Sequence, residues 1–331
     1  MWVGWMVGAG LAMAQADPKP SVDPAADTPA EAQASPTPQA PAAADPAVDV
    51  LGPKEEDEWA QGTLSTEINP AEFNIPVEIN PYVMQWLKYF TGPGRPTYAT
   101  WMIRAQTWRP LLTRLLIEEG APTDLVYLSM SESGYSNTAR SWAGAVGMWQ
   151  FIPGTGRAYG LKVGRWVDER RDPVKATRAA ARFLKELYAR YDNWYLAFAA
   201  YNCGPGCVDG AVGGYRTRDF WTLVRRRALP QETMHYVPKI IAAAIIGKHP
   251  QRYGFSDLET QSRSAPIWAA GPVDASIGLD VVADCYKADQ ATIERLNPQL
   301  MGWALPPDGT ALDIRVPLEV PEAADCLRRL R

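Results

Sequence analysis

The sequence predicts a mainly α fold: one helical domain of about 180 residues followed by a small α+β appendage at the C-terminus. Three observations lead there. Apolar residues recur at three- and four-residue spacing from about residue 80 to 250. Alternating strand patterns are scarce before residue 270, and after Phe255 the helical pattern gives way to short mixed segments. With 331 residues, 47% of them hydrophobic, the chain has enough apolar material for a sizeable core and for more than one domain.

Residues 1–16 read as a secretory signal. The apolar run 2–14 ends in Ala12-Met13-Ala14, an A-x-A cleavage pattern, and is too short to span a bilayer as a mature helix. It departs from the usual signal in carrying no Lys or Arg at its start, and a buried helix is the alternative. No Cys follows the run, so no lipoprotein anchor is expected and the predicted location is the periplasm or cell envelope. Residues 17–62 contain nine Pro and, before Leu51, almost no aromatic or large aliphatic side chain. Such a segment cannot bury enough surface to offset its ordering entropy, and it is predicted to be a disordered linker. It holds ten acids and two lysines, so the net charge of −4 conceals a linker at −8 and a remainder at +4. That weak positive balance suits an anionic polymer surface and falls short of the bias expected for nucleic-acid binding.

The helical domain is placed at residues 63–255. Helices are predicted at 81–90, 98–106, 108–119, 123–131, 172–191, 194–201, 220–227 and 235–247. The segment 172–191 carries the clearest amphipathic pattern, with Phe183, Leu184, Leu187 and Tyr188 on one face. In the appendage, residues 256–331, strands are expected at 278–283 and 310–316 and a short helix at 288–296. Leu296-Asn297-Pro298 reads as a helix stop, because a proline restricts the residue before it.

Several function classes drop out. Two histidines, His235 and His249, cannot build a His-rich metal site, and neither has the partners of a Ser-His-Asp triad. There is no Walker A loop, no G-x-S-x-G elbow and no H-E-x-x-H motif. Gly154, Gly156 and Gly160 have the wrong spacing for a dinucleotide loop. No cofactor, metal, nucleotide or nucleic acid is expected. Thirteen Trp and fourteen Tyr against seven Phe suit a cleft that grips a flat, partly polar ligand.

The most informative block is 127–156. Glu132 ends an apolar helical segment, is followed by Ser133-Gly134, and is the last acid before Asp168. Met130, Tyr135, Trp149 and Phe151 lie near it in the sequence, and partial desolvation raises a carboxyl pKa. A glutamic acid kept protonated near neutral pH is a general acid for breaking a glycosidic bond. A lone Glu is far more often a surface residue or an ion-pair partner, so the assignment needs the surrounding pattern.

Four stretches supply it: Glu132-Ser133-Gly134-Tyr135; residues 141–153 with Thr155-Gly156 after them; Ala200-Tyr201-Asn202-Cys203-Gly204-Pro205-Gly206; and Glu232-Thr233-Met234-His235-Tyr236-Val237-Pro238-Lys239. In this order they resemble the lytic murein transglycosylases, specifically the membrane-bound lytic transglycosylase D-like group. The similarity covers about residues 80–255. It implies a goose-lysozyme-like catalytic domain that cuts the MurNAc–GlcNAc β-1,4 bond of peptidoglycan glycan strands, its partner by this reading. Glu132 matches the family's acid/base. Ser141, Met148 and Gln150 match residues lining the cleft, Tyr201 the tyrosine facing the glutamate, and Asn202 the residue bracing that turn. Glu232 and Tyr236 match the motif closing the far wall. Each has a plainer role as well: Gln150 capping backbone groups, Tyr201 and Tyr236 as core tyrosines, Asn202 as a structural brace and Glu232 as a favourable charge at a helix start.

The family mechanism uses one glutamate twice. It protonates the leaving oxygen, then deprotonates the MurNAc C6 hydroxyl, which closes on its own anomeric carbon to give a 1,6-anhydro end. A tethered hydroxyl has a high effective molarity, and the absence of an obvious second carboxylate fits such a reaction. Asp168, Asp192 and Asp209 are distant in sequence, and if one of them lay beside Glu132 the enzyme would be a hydrolytic muramidase. A noncatalytic glycan-binding protein is the third reading. The class of protein partner left open is cell-wall synthesis or division proteins.

Four cysteines in an exported chain permit two bridges. Cys203 and Cys207 flank Gly-Pro-Gly and would stiffen the turn carrying Tyr201; Cys285 and Cys326 would close the appendage. Free buried thiols are the alternative. The appendage resembles the segment that follows the catalytic domain in D-like members, sometimes a degenerate LysM-like module, which would bind glycan or act as a buttress.

Overall fold

In the computed structural model, residues 68–256, 258, 268–273, 276–307, 312–317 and 326 are described. The expected signal (1–16) and linker (17–62) lie outside them. Helix α1 (Pro81–Thr91) begins where the Asn80 side chain accepts from the amides of Tyr82 and Val83, with Pro81 filling the first helical position. The longest helix, α2 (Arg95–Glu118), joins the two segments expected at 98–106 and 108–119. Pro110 lies inside it and forfeits one helical amide bond. The preceding residue compensates by tertiary contact, since Arg109 donates to the Tyr127 hydroxyl (3.4 Å) and the Gly247 carbonyl (3.2 Å).

Helices α3 (Val126–Ser133), α4 (Pro153–Ala158), α5 (Pro173–Tyr191) and α6 (Trp194–Cys203) follow. Asp172 caps α5 and Asn193 caps α6, each accepting two amides of the first turn. Next come α7 (Pro205–Tyr215), α8 (Phe220–Arg225) and α9 (Gln231–Lys248). Helix α7 was not expected: with Gly206, Gly210, Gly213 and Gly214 it has poor intrinsic propensity. Tertiary ties hold it. Cys207 in its first turn is bonded to Cys203, and Asp209 pairs with Arg190 and accepts from the Tyr191 hydroxyl (3.0 Å).

Helix α9 is the centre of the body and packs against α1, α3 and α6. Residues 240–246 on it are all at 0% exposure, so it is apolar on every side, as a core helix must be.

The appendage contains strands β1 (Trp268–Val273) and β2 (Leu312–Pro317) and helices α10 (Leu279–Cys285) and α11 (Gln290–Leu296). The strands are antiparallel, with Trp268 opposite Pro317 and Val273 opposite Leu312. The strand expected at 278–283 is instead helix α10. Val281 and Val282 give that stretch a strand-like composition, but Leu279, Val282 and Ala283 fall on one helical face and are buried beside α11. Asn297, at the expected helix stop, pairs with both backbone groups of Arg315: its side-chain amide donates to the Arg315 carbonyl (2.6 Å) and its oxygen accepts from the Arg315 amide (2.7 Å).

Backbone bonds join the appendage to the segment before α5. The Asp168 amide donates to the Gln299 carbonyl (2.8 Å) and the Met301 amide to the Trp166 carbonyl (2.9 Å). A buried ion pair adds to this: Arg315 reaches both carboxylate oxygens of Asp172, each at 2.6 Å. The Cys285 and Cys326 sulfurs are bonded across a sequence separation of 41.

Candidate active site

Glu132 sits in the last turn of α3, whose Val126, Leu128 and Met130, with Leu125 just before them, are fixed in the core. The helix stops at Gly134, whose φ of 57° lies in the left-handed region and whose missing Cβ leaves room for the Trp101 ring. Glu132 is 6% exposed. The hydroxyl of Tyr236, from the second turn of α9, donates to its Oε1. Burial, and after it the charge of Glu132, pushes the Tyr236 phenol well above its ordinary pKa. Tyr236 therefore stays protonated and remains a donor, holding the carboxyl in one orientation.

The chain between Tyr135 and Ile152 forms the next wall. Two non-glycine residues in the left-handed region, Tyr135 (φ 61°) and Gln150 (φ 48°), bracket it, and strain of that kind collects at functional sites. The loop is knotted onto α3 through the Met148 carbonyl, which accepts from Ser129 (3.2 Å) and Ser133 (3.0 Å). Its other edge meets Arg170, which donates through Nη1 to the carbonyls of Gly144 and Phe151, both at 2.9 Å. Gly147 is required at that edge: a Cβ there would stand 1.9 Å from the Arg170 carbonyl oxygen, and its φ is 86°.

The residues predicted to line the cleft hold this loop. Ser141 accepts from the Ala145 amide (3.0 Å) and is 5% exposed. Gln150, 1% exposed, donates to the Gly147 carbonyl at 2.7 Å and to Ala139 at 3.4 Å. The Met148 side chain is buried in the core. Tyr201 is fully buried, and its hydroxyl donates to the Trp149 carbonyl (2.8 Å). Trp149 in turn donates through its indole to Thr177 (2.9 Å).

Asn202 and Glu232 form a second group. The Asn202 amide donates to Glu232 Oε1 (3.1 Å), and its oxygen accepts from Thr233 (2.6 Å), tying the end of α6 to the start of α9. Glu232 also adds to the field on the Tyr236 phenol, after larger contributions from burial and Glu132. Two of the three distant acids are paired elsewhere, Asp168 with Arg170 and Asp209 with Arg190, and Asp192 is the exposed left-handed cap of α5. Cys203 and Cys207 are bonded beside the Tyr201 turn, with α-carbons 5.9 Å apart.

Sequence reasoning missed Trp142. It stands 84% exposed at the tip of the loop, between Ser141 and Ala143, where a large ring has no packing role. Among the described residues, no group of His, Cys, Asp and Glu is placed to hold a metal ion.

Residues 115–224 match the family model described as the transglycosylase SLT domain. The chain is 36% identical over 212 residues to membrane-bound lytic murein transglycosylase D of Escherichia coli K12, an alignment covering 62% of this chain and 46% of the relative. It thus spans about half the length of that curated relative. It is also 28% identical over 187 residues to an Alteromonas protein named for tributyltin chloride resistance, covering 56% of this chain and 87% of that one. Among solved structures, an inactive mutant of the lytic transglycosylase Slt from Pseudomonas aeruginosa is 26% identical, covers 44% of this chain and 24% of its own, and superposes with a TM-score of 0.38. Glu132, Ser141, Gln150, Tyr201 and Asn202 all lie inside the stretch that matches the transglycosylase SLT domain.

Proposed function

We propose that this chain is a peptidoglycan lytic transglycosylase, an exported enzyme of the bacterial envelope that cleaves the MurNAc–GlcNAc β-1,4 bond and leaves 1,6-anhydroMurNAc ends. The observation that carries the reading is Glu132, buried at the end of α3 with the Tyr236 hydroxyl on its carboxyl. In this mechanism Glu132 gives its proton to the leaving oxygen as the bond breaks. The resulting carboxylate then takes the proton of the C6 hydroxyl, which closes on the anomeric carbon, so no water is consumed. Tyr236 fixes the carboxyl through both steps. The loop held by Ser141, Gln150 and Tyr201 forms one wall, and the Asn202–Glu232 pair fixes the other. By this reading residues 63–255 are the catalytic domain and 256–331 an appendage.

One observation favours a second reading. Glu232 lies within electrostatic reach of Tyr236, and a carboxylate there that activated water would make the enzyme a muramidase.

Digestion of purified sacculi by the native chain and by Glu132→Gln tests the role of the acid. Loss of general acid catalysis alone costs about 10²–10⁴ in rate, and the variant is expected to fall at least that far with its circular dichroism unchanged. A variant that keeps a third of the native turnover overturns the assignment.

A further inference from the structure

A cavity of about 510 Å³ opens on the Arg170 side of the same loop. Five arginines line it, Arg140, Arg157, Arg165, Arg170 and Arg171, against one carboxylate, Asp168. That carboxylate is already matched. Arg170 donates to it from Nε (2.9 Å) and Nη2 (2.7 Å), and the pair, both members buried, forms a neutral floor. The other four guanidinium groups have no carboxylate partner among the described residues. Arg157 donates to the Val163 carbonyl (3.0 Å). Arg140 and Arg165 are exposed and make no side-chain hydrogen bond or ion pair to a described residue; Arg165 lies over the Trp166 ring.

Arg171 is the least satisfied of the set. Its Nη1 donates to the sulfur of Met301 (2.9 Å), a weak acceptor, and its Nε is shielded from solvent with no acceptor among the described residues. Burial lowers the pKa of this guanidinium, and Asp168 only partly offsets that. A charged donor buried without an acceptor is costly, and an anion entering the cavity would relieve that cost.

We propose that this cavity binds the carboxylates of the acidic stem peptide that branches from MurNAc in a peptidoglycan strand. The inference rests on the function proposed above and adds what the sugar cleft alone does not read. Guanidinium forks match carboxylates in two-point geometry, and the volume lies in the range of small-ligand sites. Its position fits a branched substrate: the loop from Tyr135 to Ile152 touches α3, which carries Glu132, on one edge and the cavity's Arg170 on the other. Sugar and peptide would then be held on opposite edges of one loop. The appendage has a part in this. It supplies Met301 to the wall and fixes the 163–168 segment through the bonds at Trp166 and Asp168.

Calorimetry on the full chain tests the inference with two probes: reduced GlcNAc–MurNAc tetrapeptide, and the same compound with every carboxylate amidated. Amidation is expected to weaken binding at least tenfold. In the double variant Arg140→Gln, Arg165→Gln, whose side chains make no hydrogen bond or ion pair to a described residue, the two probes are expected to bind within twofold of each other, with the melting temperature lowered only by the loss of the Arg165–Trp166 contact. Equal affinity of the native chain for both probes, no binding of either at millimolar concentration, or a preference that survives the double substitution overturns the proposal. So does displacement of the peptide by an equal concentration of inorganic phosphate, which would mark a phosphate site. Digestion of intact sacculi is measured alongside: if the native chain leaves them undigested the enzymatic reading fails, and the difference between the two probes still decides the cavity.

Discussion

In the body, residues 240–246 of helix α9 are fully buried, and the core around them draws on α1 to α3 and α5 to α8. In the appendage, the buried apolar cluster among the described residues has eleven members, and one of them, Val167, belongs to the body. The body is therefore held chiefly by apolar burial, which is non-directional and tolerant of small changes. The appendage depends on directional ties: the Arg315–Asp172 pair, the two bonds from Asn297, the backbone bonds at Trp166 and Asp168, and a disulfide. A small apolar core supplies little stability by itself, so such units use staples. The placement of those staples is informative, because they meet the body at the segment that also carries Asp168, Arg170 and Arg171. Holding the appendage in place therefore also holds the arginine cavity in shape.

The contrast can be broken most severely at Arg315. Arg315→Ala leaves Asp172 buried without its cation, which costs about 3–5 kcal/mol. The loss is expected in the appendage: faster hydrogen exchange across β1 and β2 while α9 keeps its protection. Removing both charges, Arg315→Met with Asp172→Asn, should recover most of it, because neither ion is left alone. Equal loss of protection in α9 would show that the two regions unfold as one.

The disulfides sharpen the same comparison. On the chain-entropy account the bridge of separation 41 contributes about 4 kcal/mol and the bridge of separation 4 about 2 kcal/mol. Paired Cys→Ser substitutions, followed by denaturant melts, should rank in that order, with the larger loss in the appendage. The reverse order would contradict the staple account.

Tyr236→Phe is the mildest test of the body. The lost hydrogen bond orients the carboxyl and, in the carboxylate form that follows proton transfer, is worth about 1.5–3 kcal/mol, so turnover should fall roughly 10- to 100-fold with the fold retained. Turnover within twofold of native would mean that Tyr236 does not position Glu132.

Much of the helical body was legible in the sequence because burial there follows a helical period, as in α1 and α5, or an unbroken apolar run, as in α9. Helix α7 was not, because four glycines hide a helix that is held by a disulfide and by Asp209 rather than by propensity. Helix α10 was misread because Val281 and Val282 favour a strand locally, and the partner that decides otherwise, α11, is a tertiary neighbour. At the site, Glu132 stood out because residues 133–167 contain no other acid. The same stretch leaves Arg140, Arg157 and Arg165 without neighbouring carboxylates, a signal present in the sequence but interpretable only once the fold gathers them around one cavity. The bond between Tyr236 and Glu132 spans 104 residues and could not be read from local pattern; the family resemblance placed Tyr236 only on the far wall and gave Tyr201 as the tyrosine facing the glutamate.

The central claim is that Glu132 drives an intramolecular closure rather than attack by water, and the chemistry of the new ends tests it directly. Sacculi digested by the native chain are treated with borohydride, and the released muropeptides are weighed. Ends that resist reduction and are one water lighter than hydrolytic products are predicted. Products that are mostly reducible would contradict the account and make the enzyme a muramidase, with Glu232 the first acid to substitute.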